Sequence, residues 1–436
     1  MTTSKLIYTY FILIFIVGVV NSKTNNRSEY FYLSRKLTIP SFVATIVTTW
    51  YGGILEIGRF TYINGFVTWL IFGLFYYIAA LIFAFKIGPK LNQSNIKSIP
   101  EFFGLKYGII PKKISAFILI LVSSPAPYLM IFSVLITQIF GISSIQSIIF
   151  GIFFSIFYIY FGGMKSIIRT DIIQFIFMYL GFFVLLFFLI FKFGGYEFIL
   201  NNSPPNHLKL TGNLKIGYIL SWSLISLITF IDPSIYHRTY SSKDKETVKN
   251  GFIISVILWF IFDFLTISVG LYASAIIPSS LLGDTNPYIF LAEEYLPYFL
   301  KSLFYIGLLS IVMSTIDSFF FVSSIMLSND LFNENSKINR YSLLIIGIVS
   351  FIIATNFNHV VDVWYIFGSL AASSLLIPFL LLIFKPNRII KYPIFSMILP
   401  LITGLIWFYF EYPFGIDIMY PGLLISGILC MNNNEE

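Results

Sequence analysis

The chain has 436 residues, 57% of them hydrophobic and only 11% charged, roughly half the charge of a soluble domain of that length. It reads as a polytopic membrane protein in which no stretch is long and polar enough for a separate soluble domain. The single Cys430 excludes a disulfide framework and a thiolate metal centre, His207, His237 and His359 are too scattered to suggest a metal or triad enzyme, and the net charge of +7 follows topology rather than a nucleic-acid surface.

A helix needs about 20 apolar residues to cross the hydrocarbon. Thirteen segments qualify, at about 6–21, 39–62, 65–87, 114–140, 143–162, 170–194, 215–232, 250–276, 302–327, 341–356, 360–384, 393–410 and 414–431. The first begins like a signal peptide, but its basic start is weak and no small-residue cleavage site follows. It is expected to be a retained helix rather than a secretory signal. The second contains Thr48-Thr49-Trp50-Tyr51-Gly52-Gly53, a run of poor helix formers, and is expected to be interrupted. Glu56 and Arg59 lie three residues apart on the same span, hence on nearly one face. They form either a buried ion pair or part of a solute pocket. The sixth opens on Thr170-Asp171, where helix capping is the plain alternative to ion binding. The seventh holds Trp222 and Ser223 near its start and is expected to end at Asp232-Pro233. The eighth carries Asp263 at mid-span without an evident role.

The ninth span is the most informative. Ser314-Thr315-Ile316-Asp317-Ser318 lies inside an apolar stretch, and a carboxylate at mid-membrane costs at least about 2.5–3.5 kcal/mol on insertion scales. Such a cost is usually accepted for a polar pathway or a bound cation. Hydroxyl and carboxylate oxygens suit a hard cation.

Lysine and arginine test the thirteen-span count. With the N-terminus outside, the inside loops at 23–36, 86–113, 165–169, 238–249, 337–340 and 385–391 hold every basic residue except Lys5, Arg59, Lys192, Lys209, Lys215 and Lys301. Positive charge stays on the cytoplasmic side. The asymmetry predicts a cell-membrane protein with its N-terminus outside and its C-terminus cytoplasmic.

Interrupted spans at corresponding places in two halves, here the second and the seventh, point to an inverted-repeat transporter. Four polar stretches then carry a resemblance. They are Ser98-Ile99-Pro100-Glu101-Phe102-Phe103 with Lys106-Tyr107-Gly108; Gly162-Gly163-Met164-Lys165-Ser166-Ile167 with Arg169-Thr170-Asp171-Ile172-Ile173-Gln174; Asp232-Pro233 with Arg238 and Ser241-Ser242-Lys243; and Ser314-Thr315 with Asp317-Ser318, Ser323-Ser324 and Asp330-Leu331. In order and spacing, from about residue 30 to 390, they resemble the solute:sodium symporter family.

The resemblance implies an all-α membrane protein of about thirteen helices with a LeuT-type five-plus-five inverted repeat. The single membrane domain, 1–436, would divide into an extra helix at 6–21, repeats at 39–194 and 215–384, and two closing helices at 393–431. It implies a sodium-coupled symporter importing a small solute by alternating access through the lipid bilayer, with Na+ as coupling ion and no organic cofactor, catalytic residue or nucleic-acid partner. By position, sodium would be held by the carbonyls of Thr48, Tyr51 and Ile311 and the hydroxyls of Ser314 and Thr315. Read from the residues alone, those two hydroxyls would instead bond back to carbonyls one turn earlier. Asp171, Asp317 and Ser318 would form a second sodium or a proton site, since neighbouring carboxylates raise one another's pKa. Glu56, Arg59, Ser124, Trp222, Ser223 and Trp364 are the candidate solute contacts, although Ile54 and Leu55 stand where relatives place theirs. A proton-coupled transporter of the same fold and a non-transporting membrane sensor remain the alternatives. The solute and the oligomeric state are not legible.

Overall fold

The computed structural model describes residues 3–20, 22–24, 26–332, 338–357, 359–413 and 416–431; Lys337, used above for topology, lies outside them. Among the described residues every extended regular element is a helix, and the chain pairs outside helices only at one isolated parallel bridge, Leu37 to Ser242. Among the described residues eight helices are long and apolar enough to cross a membrane, and five further apolar helices have 10–17 residues.

Ten helices position the site. They are α1 (Thr3–Val19), α2 (Ile39–Trp50), α3 (Ile54–Asn64), α4 (Ala126–Phe140), α5 (Ser144–Gly162), α6 (Met164–Phe193), α7 (Pro233–Ser241), α8 (Lys245–Ile276), α9 (Tyr298–Ile325) and α10 (Val360–Ala371). With the π-helical turn that continues it to Leu331, α9 forms the axis, and the most apolar window of that span is wholly enclosed. Its neighbours bury one face and leave residues such as Phe153, Phe157, Ile176 and Phe187 exposed, an apolar exterior suited to lipid. Helices α6 and α9 cross backbone to backbone. A Cβ on Gly307 would lie 2.9 Å from the Phe177 carbonyl and 3.1 Å from Gly181 Cα. Without a hydrophobic drive between helices in lipid, such small-residue contacts hold membrane helices together.

The expected interruption of the second span is present, with α2 ending at Trp50 and α3 beginning at Ile54. Its glycines serve close approach. A Cβ on Gly52 would lie 2.5 Å from Tyr128 Cδ1 on α4 and 2.6 Å from Thr315 Cγ2 on α9. A Cβ on Gly53 would strike the Trp364 ring on α10.

Three expectations are corrected. The span expected at 114–140 starts at Ile109 and is itself broken at residues 123–125, where Pro125 and Pro127 restart the chain as α4. The seventh span does not end at Asp232-Pro233. A helix at Ile216–Ile225 passes through a 3-10 turn at Ser226–Ile231 and resumes as α7. Asp232 accepts from the Ser234 and Ile235 amides at 2.7 and 3.0 Å, and Pro233 occupies the first helical turn, so the pair starts a helix. Consequently Arg238 is not in a cytoplasmic loop but inside α7, with 1% of its surface exposed.

Candidate functional site

Where α2 breaks, its last carbonyls lose their helical partners. Among the described residues no backbone N–H donates to the carbonyl of Thr48 or of Tyr51. Ser314 and Thr315 on α9 face this break. Thr315 Oγ1 lies 3.0 Å from the Thr49 carbonyl and 3.0 Å from the Ile311 carbonyl one turn earlier. Back-bonding therefore holds for Thr315 only in part. Ser314 turns away from its own helix, with Oγ 2.8 Å from Thr48 Oγ1 and 2.6 Å from Asp171 Oδ1. The Thr48 hydroxyl donates back to Ala44 at 2.9 Å.

Asp171 lies two turns inside α6, which begins at Met164, so the capping alternative fails. Its carboxylate accepts from Thr45 and Ser314 and sits 3.9 Å from the Arg238 guanidinium, with both side chains buried. Arg238 also donates to Thr45 (3.0 Å), Thr49 (2.8 Å), Ser318 (2.6 Å) and the Ser234 carbonyl (3.3 Å). The fork of a guanidinium suits such divergent acceptors in a way an ammonium does not.

Asp317 does not join this cluster. Neighbouring positions on a helix differ by about 100°, and Asp317 turns toward α5, where the Tyr158 hydroxyl donates to its Oδ2. Among the described residues no hydrogen bond of good geometry reaches its buried Oδ1, although the Ser155 hydroxyl lies beside the carboxyl. The structure thus joins Asp171 and Ser318 through Arg238 and separates Asp317 from them.

A cavity of about 340 Å³ lies beside the break. Of the sequence-derived solute contacts, Glu56, Arg59, Trp222 and Trp364 line it, as do Tyr51 and Asp263, whereas Ser124 and Ser223 do not. The Ser124 hydroxyl caps the Ala126 amide at 3.3 Å, and Ser223 bonds back to Leu220 at 2.7 Å. Glu56 and Arg59 form no ion pair; Arg59 reaches instead to the Asp284 carbonyl at 3.1 Å.

Sequence reasoning missed Thr45, Thr49, Tyr158 and Arg238 as members of the polar centre. Arg238 alone carried a signal, since an arginine a few residues past Asp-Pro at an apolar span's end could continue the helix inward. Thr45 looked like any other threonine, and Thr49 was read only as part of the break.

The sodium:solute symporter family model matches residues 30–391. A sodium/proline symporter from Staphylococcus aureus (strain Newman) is 24% identical over 408 residues, covering 84% of this chain and 79% of its own length. A sodium/glucose cotransporter from Vibrio parahaemolyticus is 22% identical over 294 residues, covering 56% and 52%. Among solved structures, a substrate-bound, outward-open Na+-coupled sialic acid symporter aligns with a TM-score of 0.83 at 16% identity, covering 98% of this chain and 96% of that one. A nucleobase-cation-symport-1 family transporter in a closed conformation aligns with a TM-score of 0.61 at 12% identity, covering 93% and 94%. These likenesses show a shared transporter fold. With the broken α2, the hydroxyl pair on α9 and a family model spanning most of the chain, the protein belongs to the sodium:solute symporter family, and is a sodium-coupled secondary transporter of a small solute rather than an enzyme.

Proposed function

We propose that one sodium ion binds between the break and α9, held by the carbonyls of Thr48, Tyr51 and Ile311 and the hydroxyls of Ser314 and Thr315. The observation that carries this reading is the convergence at the break of the Thr48 and Tyr51 carbonyls, which accept from no backbone amide among the described residues, with two hydroxyls of α9, Ser314 reaching the Thr48 hydroxyl and Thr315 the Thr49 carbonyl, oxygens fitted to a hard cation. The solute would occupy the adjoining cavity against Glu56, Arg59, Trp222 and Trp364. Tyr51 belongs to both the break and the cavity wall, so ion binding that orders the break would also order the solute site. At a negative-inside potential each sodium would contribute about 2.3 kcal/mol per 100 mV.

The same reading takes the chain as one membrane domain of thirteen crossings in the cell membrane, N-terminus outside and C-terminus cytoplasmic. Residues 39–194 and 215–384 would be the inverted repeats, flanked by the helix at 6–21 and the pair at 393–431. Breaks at comparable places in the second and seventh spans support the repeat.

Asp171, Asp317 and Ser318 would form a second cation site only if Asp317 turned to the other two, and one observation favours a proton on Asp317 over a second sodium. Arg238 already supplies a counter-charge beside Asp171, while among the described residues no hydrogen bond of good geometry reaches the buried Oδ1 of Asp317. A neutral, protonated Asp317 removes the cost of that orphan charge.

Thermal stabilisation of the purified protein in NaCl against equal KCl tests the sodium site. A ligand at 100 times its dissociation constant adds about 2.7 kcal/mol. The expected result is a sodium-specific rise in melting temperature that disappears in Ser314→Ala/Thr315→Ala. No rise in wild type across pH would overturn sodium binding at this site and shift the assignment to protons.

A further inference from the structure

The cavity walls have a chemical bias that sodium coupling does not require. Aromatic faces dominate them, among them Trp50, Tyr76, Tyr128, Trp222, Phe319 and Trp364. Three carboxylates, Glu56, Asp232 and Asp263, face one guanidinium, Arg59, among the described lining residues. Asp232 is committed as the cap of α7. Arg59 sits at the exposed end of the wall and turns to the Asp284 carbonyl.

These roles leave over Glu56, which is only half-buried, and Asp263, which is buried. Asp263 stands at the middle of the 32-residue α8 and is 5% exposed. The Tyr77 hydroxyl donates to its Oδ2. No lysine, arginine or histidine among the described residues lies within ion-pair distance of it. The opposing helix segment is a π-helical turn, Leu70–Leu74, a local form frequent at functional sites. There Gly73 leaves room for the carboxylate, since a Cβ would lie 2.7 Å from Asp263 Oδ2. A mid-membrane carboxylate with only neutral donors lacks a counter-charge, and mid-span charges usually mark a substrate or ion path.

We propose that the transported solute carries a protonated amine, with Asp263 as its counter-charge and the aromatic faces of the cavity as its walls. This rests on the assignment of the cavity as the solute site. Aromatic faces attract a cation by their quadrupole and repel an anion by the same field. A desolvated carboxylate adds charge selectivity. The negative-inside potential then acts on the solute as well as on sodium.

Benzylamine and phenethylamine serve as probes, each set against its matched neutral alcohol and its matched carboxylate. Melting temperature of the purified full chain is read in saturating NaCl. Both amines, or the better fitting one, should stabilise wild type with at least about tenfold higher apparent affinity than the alcohol, as expected for a contact of about 1.4 kcal/mol. The carboxylates should give no shift. Asp263→Asn should lose the amine effect and keep the sodium shift measured without amine. Equal stabilisation by alcohol or carboxylate, an amine effect that survives in Asp263→Asn, or no amine effect in wild type overturns the proposal. If Asp263→Asn loses the sodium shift itself, Asp263 belongs to an ion site and the proposal also fails. Should that variant not fold, the wild-type charge series decides alone. Failure of sodium coupling is read separately, from the NaCl against KCl shift without amine.

Discussion

Arg238 is a full positive charge among helices, and its neighbours show why it is tolerated. Two threonines, a serine, a backbone carbonyl and the Asp171 carboxylate surround the guanidinium. Removing one member of a buried ion pair costs about 3–5 kcal/mol, because the other charge stays buried and unpaired. Arg238→Ala is therefore expected to lower the melting temperature severely, and Arg238→Lys to recover little of it, since an ammonium cannot reach acceptors on α2 and α9 together. The double variant Asp171→Asn/Arg238→Ala should be more stable than Arg238→Ala alone. A double-mutant cycle on melting curves checks this, and additive losses would show that the two side chains do not act as a pair. Ser314 bears on the same centre. Ser314→Ala removes a donor to Asp171 as well as a proposed sodium oxygen, whereas Thr315→Ala touches only the break. Sodium affinity should fall in both, and stability without sodium should fall more in Ser314→Ala.

At the scale of elements, the break between α2 and α3 is held by what packs against it. Gly52→Ala would put a methyl into Tyr128 and Thr315, and Gly53→Ala one into the Trp364 ring. Either should weaken sodium binding by displacing α9 or α10 from the break, with a smaller loss of stability. Gly307→Ala, at the α6–α9 crossing, should do the reverse and destabilise the fold while leaving sodium affinity nearly unchanged. Sodium titrations followed by melting temperature separate the two outcomes. These glycines also mark what the sequence can show. Gly52-Gly53, closing the run of poor helix formers Thr48-Thr49-Trp50-Tyr51, announced a break at the right place, because such a run weakens a helix by local composition. The Asp232-Pro233 pair misled for a related reason. Read along the chain it ends a helix, but here it begins one, and only the acceptors clustered around Arg238, drawn from α2, α6 and α9, explain why the next turns stay inside. Likewise Ser314 and Asp317 stood out as polar residues in an apolar span, yet which way each turned depended on Asp171 of α6 and Tyr158 of α5, 143 and 159 residues away in sequence. Contacts between distant helices leave no periodicity to read.

The two ends of the molecule are in different states. Arg59 and Tyr218 mark an exposed end of the cavity wall, while the other end is tied shut around the last turn of the α9 span. Asp330 accepts from Ser98 at 3.0 Å and pairs with Lys112 at 3.3 Å. Asn329 accepts from Arg27 at 2.7 Å. The Tyr236 hydroxyl donates to the Ile96 carbonyl at 2.6 Å, and Asn92 donates to the carbonyls of Thr239 and Ser242 at 3.0 and 3.1 Å. With the orientation proposed above, the bonded end would face the cytoplasm and the carrier would be outward-facing with that end latched. Alternating access then requires these bonds to break together, and their summed strength sets how often the inward-facing state is visited. Asp330→Asn keeps the shape and removes the charge pair, which costs the latched state about 1–2 kcal/mol, a factor of roughly 5–30 in the equilibrium. Sodium bound preferentially to the latched state should accordingly bind more weakly, since the competent fraction falls. A cysteine placed by Ile235→Cys, on the cavity wall in α7, should react faster with an impermeant maleimide added from the Lys112 side of sealed vesicles. Both effects should reverse partly at high sodium, because the ion draws the protein back to the state it binds. Unchanged labelling and unchanged sodium affinity in Asp330→Asn would show that this network holds the fold together without governing which side is open.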